Sequence, residues 1–259
     1  MNQVTYFENI IKELNSKPYH VVEKSNAVFY LVSKEEGIVS GLDEVISLLS
    51  IYDIEVSLRK HKENGNTVKR GEIVCSITGP KQSLYHVLDT VLYILGRMSG
   101  IASLVSYYQR KLATARVIDT KNYIPLEGSL LERAYQDGGA IQIPYYLLDE
   151  TLCDSHDSYE DAVSKTKLIT ALPIALEVND ISRFYDALKT DAEILVLKYF
   201  NNEAIRRAIL DNRGRKKIMI GGLILPNRLD IIGKESFDYL TTFLFQTASR
   251  VYEFAVKVG

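Results

Sequence analysis

The stretch Pro173-Ile174-Ala175-Leu176-Glu177-Val178-Asn179-Asp180-Ile181-Ser182-Arg183-Phe184 passes from an apolar run, broken by Glu177 alone, into a helical pattern within two polar residues. That is the reading of a buried strand feeding a helix. The same unit recurs on both sides of it. Apolar strands are expected near Val117 to Thr120, Ile174 to Val178, Ile194 to Leu197 and Ile218 to Ile220. Between and after them, helical spacing covers Leu130 to Gln136, Tyr159 to Lys167, Ile181 to Lys189, Asn202 to Leu210 and Asn227 to Ile232. Strand-helix alternation implies a parallel sheet, either open and doubly wound or closed into a barrel. About five or six repeats within roughly 130 residues favour a short barrel.

Upstream the pattern differs. Phe7, Ile10, Ile11 and Leu14 fall on one helical face, which predicts a helix over 4–15. Branched and aromatic runs at Ala27 to Val32, Gly37 to Ser40, Glu55 to Leu58 and Glu72 to Ile77 read as strands around a helix from Leu42 to Ser50. A long helical region, Gln82 to Leu112, follows Pro80, with Ser99-Gly100 reading as a break. A last helix is expected from Gln246 to Val256. The chain thus reads as a small α/β unit over 1–112 and a strand-helix repeat over 113–259, whose final helix could pack back on the first.

The 259 residues carry 31 Lys and Arg against 33 Asp and Glu, a net charge of −2, with 46% hydrophobic residues, so disorder and a basic nucleic-acid tail are excluded. The 17 tyrosines accompany no basic stripe and make no nucleic-acid surface. Two cysteines, Cys75 and Cys153, give neither a disulfide scaffold nor Cys-x-x-Cys zinc spacing, which suits a reducing cytoplasm. The N-terminus lacks signal-peptide character. Val91 to Val105 is interrupted by Arg97 and Gly100 and falls short of a membrane span, so a soluble protein is expected.

In a barrel, chemistry gathers where strands end and loops begin. The polar candidates there are Asp119-Thr120-Lys121, Glu177, Lys198 and Gly221-Gly222. A glycine pair lets backbone N–H groups approach a phosphate, or simply makes a turn. Asp119, Thr120 and Lys121 read as ligand contacts or as a helix cap with a solvated charge. Glu177 closes an apolar run, where a carboxylate is costly unless paired or bound to metal.

These residues stand in an order that resembles the quinolinate phosphoribosyltransferase family, also called nicotinate-nucleotide pyrophosphorylase (carboxylating), with its relatives in molybdenum-transport loci. The resemblance rests on Gly71-Glu72-Ile73-Val74 with Gly79, Leu92 to Leu95, and Arg97-Met98-Ser99-Gly100-Ile101-Ala102-Ser103. It continues through Ile118-Asp119-Thr120, Pro125, Ala134, Gly138-Gly139, Leu147, Asp149, Asp154 with His156, Glu177-Val178 and Gly221-Gly222. It implies a type II phosphoribosyltransferase architecture: an N-terminal α/β sandwich, then an incomplete (β/α) barrel. It further implies a homodimer, magnesium, and transfer of a phosphoribosyl group from 5-phosphoribosyl diphosphate to quinolinate with loss of pyrophosphate and carbon dioxide. Carried over by position, Glu177 would hold magnesium or a ribose hydroxyl and Lys121 a phosphate. Asp119, Thr120, His156, Lys198, Gly221 and Gly222 would line the ligand site.

The chain departs from the family where the family is cationic. Basic family positions fall on Asn122, Gly128, Glu132, Ile143, Pro144 and Cys153, the Glu-Arg pair that crosses the dimer falls on Leu88-Asp89, and the magnesium-holding acid falls on Lys198. Even at half additivity, six lost charge-assisted hydrogen bonds remove about 5–9 kcal/mol, comparable with the roughly 8 kcal/mol of a micromolar complex. Quinolinate turnover is therefore not expected. Ile143, Pro144, Tyr123, Tyr145 and Tyr146 would make the pocket wall apolar and aromatic, for a neutral or aromatic ligand or as mere filling.

Two functions follow: a phosphoribosyltransferase with another acceptor, or an inactive homologue that binds a ligand or a protein partner. The stretch Gly65-Asn66-Thr67-Val68-Lys69-Arg70-Gly71-Glu72-Ile73-Val74 also resembles half of a biotinyl or lipoyl domain. No lysine stands at suitable hairpin spacing, and its glycines serve as well to turn a strand pair.

Overall fold

The alternating run Asn26–Ser33 forms a strand, β1, that buries Phe29 and Leu31. The structure, a computed structural model, describes residues 3–16, 25–119, 128–149, 158–247 and 249–259. Described residues fall into two compact units, one of residues 3–106, 128–139 and 245–259, the other of 107–119 and 140–244. A middle segment and the chain's end join the first unit.

In the first unit, helix α1 (Gln3–Asn15) precedes β1. Then come β2 (Gly37–Ile38), α2 (Leu42–Tyr52), β3 (Ser57–Lys60), β4 (Thr67–Val68) and β5 (Ile73–Pro80). β1 pairs antiparallel with β5, which pairs with β3, while β2 and β4 make a separate two-stranded ladder. α1 packs on α2 and α2 on β3. The glycines of the 65–74 stretch do turn strands: Gly65 (φ +82°) and Gly71 (φ +89°) bracket β4 in the left-handed region that favours glycine.

Two expectations for this unit are corrected. Helix α3 (Lys81–Lys111) is continuous, with no break at Ser99-Gly100. Its glycines serve close approach instead. A Cβ on Gly100 would lie 2.0 Å from the Arg250 carbonyl oxygen, and one on Gly96 would lie 2.7 Å from that of Tyr252. The Tyr252 N–H donates to the Gly96 carbonyl at 2.8 Å, and Arg97 donates to Ser249 Oγ at 2.7 Å and the Gln246 carbonyl at 2.6 Å. By length and composition α3 could cross a membrane, yet 56% of its most apolar window is buried, as in the core helix of a soluble protein.

The expected final helix from Gln246 to Val256 is not formed. After α4 (Gly128–Asp137), the intervening elements of the second unit, and a short α9 (Leu244–Thr247), the chain ends in strand β12 (Phe254–Val258). Phe254 to Val258 pairs antiparallel with Ser33 to Phe29, giving a sheet of order β12-β1-β5-β3. The open edge of β1 offers backbone donors and acceptors that need partners, and a β-branched segment meets that need better than a helix of weak periodicity.

The second unit holds β6 (Arg116–Val117), β7 (Tyr146–Leu148), β8 (Ile174–Val178), β9 (Ile194–Leu197), β10 (Lys217–Ile220) and β11 (Tyr239–Leu240). They form one parallel sheet of order β6-β11-β10-β9-β8-β7. Ile118 bridges to Ile141 in parallel, so the chain just before β7 touches the end of β6 and the sheet curls toward closure. Helices α5 (Tyr159–Lys167), α6 (Ile181–Ala187), α7 (Asn202–Asn212) and α8 (Pro226–Ile232) lie between successive strands, and α5 and α6 pack on β8. Ser158, Asp180 and Asn201 cap α5, α6 and α7, their side chains accepting from the N–H of Asp161, Ser182 and Ala204. The fold is thus the expected N-terminal α/β unit with a C-terminal parallel, barrel-like sheet. β7 and β11 escaped the sequence reading because two or three residues carry no periodicity.

Candidate active site

Side chains on a strand alternate between faces, so residues two apart share one. Ala175, Ile194, Val196 and Met219, with Ile118, make one buried apolar cluster, against which Ile141, Ile143, Tyr145 and Tyr239 pack. Glu177 therefore shares a face with Ala175, Lys198 with Val196, and Gly221 with Met219. Each stands at the carboxyl end of its strand or just beyond it.

The register of β8 on β9 sets Glu177 opposite Val196 and Val178 opposite Leu197, and the Lys198 N–H extends the ladder to the Val178 carbonyl at 3.0 Å. Lys198 is thereby the diagonal neighbour of Glu177. Its ammonium forms an ion pair with Glu177 Oε1; the carboxylate side chain is 3% exposed and the lysine side chain 21%. Among the described residues this is the ammonium's one ion pair.

Asp119 follows β6 and is also buried; Gln142 Nε2 donates to its Oδ2 at 3.3 Å. Tyr145 stands close enough to both carboxylates to feel them. Burial first, then the charges of Asp119 and Glu177, push its phenol up to about 12, so it stays a neutral donor at physiological pH. One residue past β8, Asn179 Oδ1 is buried without a hydrogen-bond partner among the described residues. A buried unpaired acceptor costs about 1–3 kcal/mol, which a ligand donor would recover.

The glycine pair divides its work. The Gly221 N–H donates to the Leu197 carbonyl at 3.1 Å and is spent in the ladder. A Cβ on Gly221 would crowd Val196 Cγ1 at 3.3 Å and sit 3.7 Å from Lys198 Cγ. Gly222 has φ +103°, and a Cβ there would meet no described atom within 4 Å, so the turn requires glycine for its backbone alone. A phosphate cradle at this turn would thus start at Gly222.

Glu177, Lys198, Asp119 and Gly221-Gly222 all lie at one end of the parallel sheet. Thr120, Lys121 and His156 lie outside the described residues, as do Tyr123 and Cys153. Of the residues at the family's basic positions, Ile143 packs on the apolar cluster. Arg133, beside Glu132, is committed to Asp137 at 3.1 Å and Asp43 at 3.7 Å in the first unit. Gln142, Asn179 and Tyr199 were not singled out from sequence. Gln142 and Asn179 carried a faint signal, as polar residues inside or just beyond apolar runs. Tyr199 had none: it follows Lys198 with φ +59°, a strained conformation for a bulky residue, and is 81% exposed.

Magnesium does not fit this donor set. Among the described residues no group of three or more His, Cys, Asp or Glu side chains stands together to hold a metal. The Glu177 oxygen that such an ion would need already faces an ammonium. A divalent cation about 4 Å from that ammonium would meet a repulsion of about 8 kcal/mol at an effective dielectric of 20.

Comparison with known proteins places this two-part fold among homologues of type II phosphoribosyltransferases. Residues 5–99 match the family model for the quinolinate phosphoribosyl transferase N-terminal domain. A probable nicotinate-nucleotide pyrophosphorylase (carboxylating) of Methanothermobacter thermautotrophicus is 23% identical over 244 residues, covering 88% of this chain and 87% of that protein. One of the same description from Archaeoglobus fulgidus is 26% identical over 242 residues, covering 88% and 93%. The solved nicotinate-nucleotide pyrophosphorylase of Francisella tularensis superposes with a TM-score of 0.88 at 19% identity, over 99% of this chain and 97% of that one. Residues 5–99 thus carry the mark of the quinolinate phosphoribosyl transferase N-terminal domain, and the chain over most of its length is similar to nicotinate-nucleotide pyrophosphorylases.

Proposed function

We propose that this chain is a divergent pentosyl-transferring member of its family, which takes a phosphoribosyl ligand and an acceptor other than quinolinate. The observation that carries this reading is the Glu177–Lys198 ion pair beside an apolar and aromatic wall that includes Ile143 and Tyr145. A dicarboxylate acceptor needs several convergent cations to offset its desolvation. The described wall offers Ile143 where the family's pattern is basic, with Tyr145 packed on the same apolar cluster, and suits a neutral or aromatic acceptor.

In the transfer, the bond from the anomeric carbon to the diphosphate oxygen breaks and a bond to the acceptor nitrogen forms, with pyrophosphate leaving. Positive charge grows on the ribose as the first bond stretches. The carboxylates of Glu177 and Asp119 face that charge from a buried, preorganised position, and Glu177 accepts a hydrogen bond from a ribose hydroxyl. The Lys198 ammonium donates to a phosphate oxygen. Lys121, Thr120 and His156, carried over by position from the family pattern, add ligand contacts, Lys121 to a phosphate, and the backbone from Gly222 onward contributes amide donors. Two copies of the chain assemble as a homodimer, which light scattering at micromolar concentration checks.

Calorimetric titration with 5-phosphoribosyl diphosphate, followed by quinolinate, nicotinate and nicotinate mononucleotide, tests the proposal. Micromolar donor binding with no heat from quinolinate supports it. No binding of any of them refutes it and favours the inactive-homologue reading, to which the neutralisation of Glu177 by Lys198 also points.

A further inference from the structure

We infer that the Lys198 ammonium is the resident cation of this site, so that a phosphate-bearing ligand is bound there without a divalent metal. The inference rests on the site proposed above and deepens it. Glu177 is buried on the inner face of the sheet, where a carboxylate demands a positive partner. That partner is supplied by the chain itself, one strand away and held by the ladder bond from Lys198 N–H to the Val178 carbonyl. A cation tethered in this way needs no coordination sphere of several oxygens, and the described residues provide none.

The rest of the local construction fits a lysine. Gly221 lies beside the Lys198 stem, where even a Cβ would make only ordinary contact with Lys198 Cγ, at 3.7 Å. The side chain keeps 21% of its surface exposed, enough to offer N–H donors to an entering phosphate while one points at Glu177. The ammonium bridges Glu177 to phosphate oxygens by charge-assisted hydrogen bonds. Binding by this route requires no metal uptake and leaves the carboxylate neutralised before the ligand arrives.

The test has a metal arm and a ligand arm. In the first, the ligand-free protein is titrated with Mn2+ by calorimetry. The wild type and Glu177→Gln should give the same response, whereas Lys198→Asp should gain a site that Lys198→Asp/Glu177→Gln lacks. Binding of one Mn2+ by the wild type that Glu177→Gln abolishes overturns the inference. In the second, ribose 5-phosphate is titrated with EDTA or with millimolar magnesium. Equal affinity in both, weakened about tenfold or more by Lys198→Gln, supports it. An affinity about tenfold higher with magnesium overturns it. If neither ribose 5-phosphate nor 5-phosphoribosyl diphosphate binds, the proposed function fails, and the metal arm alone still decides the resident cation. Melting curves of each variant confirm folding, and a rise in the melting temperature of Lys198→Asp on adding Mn2+ reports the new site independently of heat.

Discussion

Replacing Lys198 by methionine keeps the length of the side chain and removes its charge, taking from the buried Glu177 carboxylate the ammonium that faces it. Breaking a buried ion pair from one side costs about 3–5 kcal/mol. The carboxylate is 3% exposed but the lysine 21%, so water reaches one partner and the lower end applies, about 3 kcal/mol. For a chain of this size that lowers the melting temperature by roughly 6–12 °C. The double variant Lys198→Met/Glu177→Leu exchanges the whole pair for apolar groups and should return to within about 1 kcal/mol of the parent. Differential scanning calorimetry across pH on the parent, both single variants and the double reads the coupling directly. A cost below about 0.5 kcal/mol for Lys198→Met, the level of an exposed pair, refutes the buried ion pair and the site built on it.

Burial holds the carboxyls of Glu44 and Asp137 above their ordinary values of 4.5 and 3.8, and Glu44 Oε2 has no hydrogen-bond partner among the described residues. Their stabilisation is fully present below those ordinary values and is lost as pH rises through the folded ones. Glu44→Gln should therefore raise stability by about 1 kcal/mol at neutral pH, an advantage that melting curves should show fading toward acid. Gly100→Ala places a Cβ 2.0 Å from the Arg250 carbonyl, so it should cost about 3 kcal/mol or more and loosen β12, read as faster amide exchange from Phe254 to Val258. Cys75 is fully buried with its thiol pushed up to about 12 by desolvation, so peptide mapping should find it unmodified by thiol reagents until the chain is unfolded.

Much of the second unit was legible because its strands are buried on both faces and its helices are amphipathic, so composition and period agree. The apolar runs at Ile174–Val178 and Ile194–Leu197 were delimited from sequence to the residue. That delimitation pointed to Glu177 and Lys198 as the polar residues closing them. The Ser99-Gly100 and Gln246 to Val256 readings failed for a shared reason: both segments answer to each other. Glycine in α3 is explained by the chain passing at Gly96 and Gly100, and β12 by the open edge of β1. No local pattern reports a partner some 150 residues away.

What the sequence determined by itself, then, is the order of elements and which polar residues end the buried strands, since hydrophobic period and strand length are local properties. What only the tertiary structure decided is the pairing of those ends. Glu177 and Lys198 are a carboxylate and an amine 21 residues apart until the β8–β9 register, set by Glu177 opposite Val196, makes them diagonal neighbours on one face. Register is a collective outcome of packing on both faces of the sheet, and a slip of one residue would turn Lys198 away from Glu177 to the opposite face.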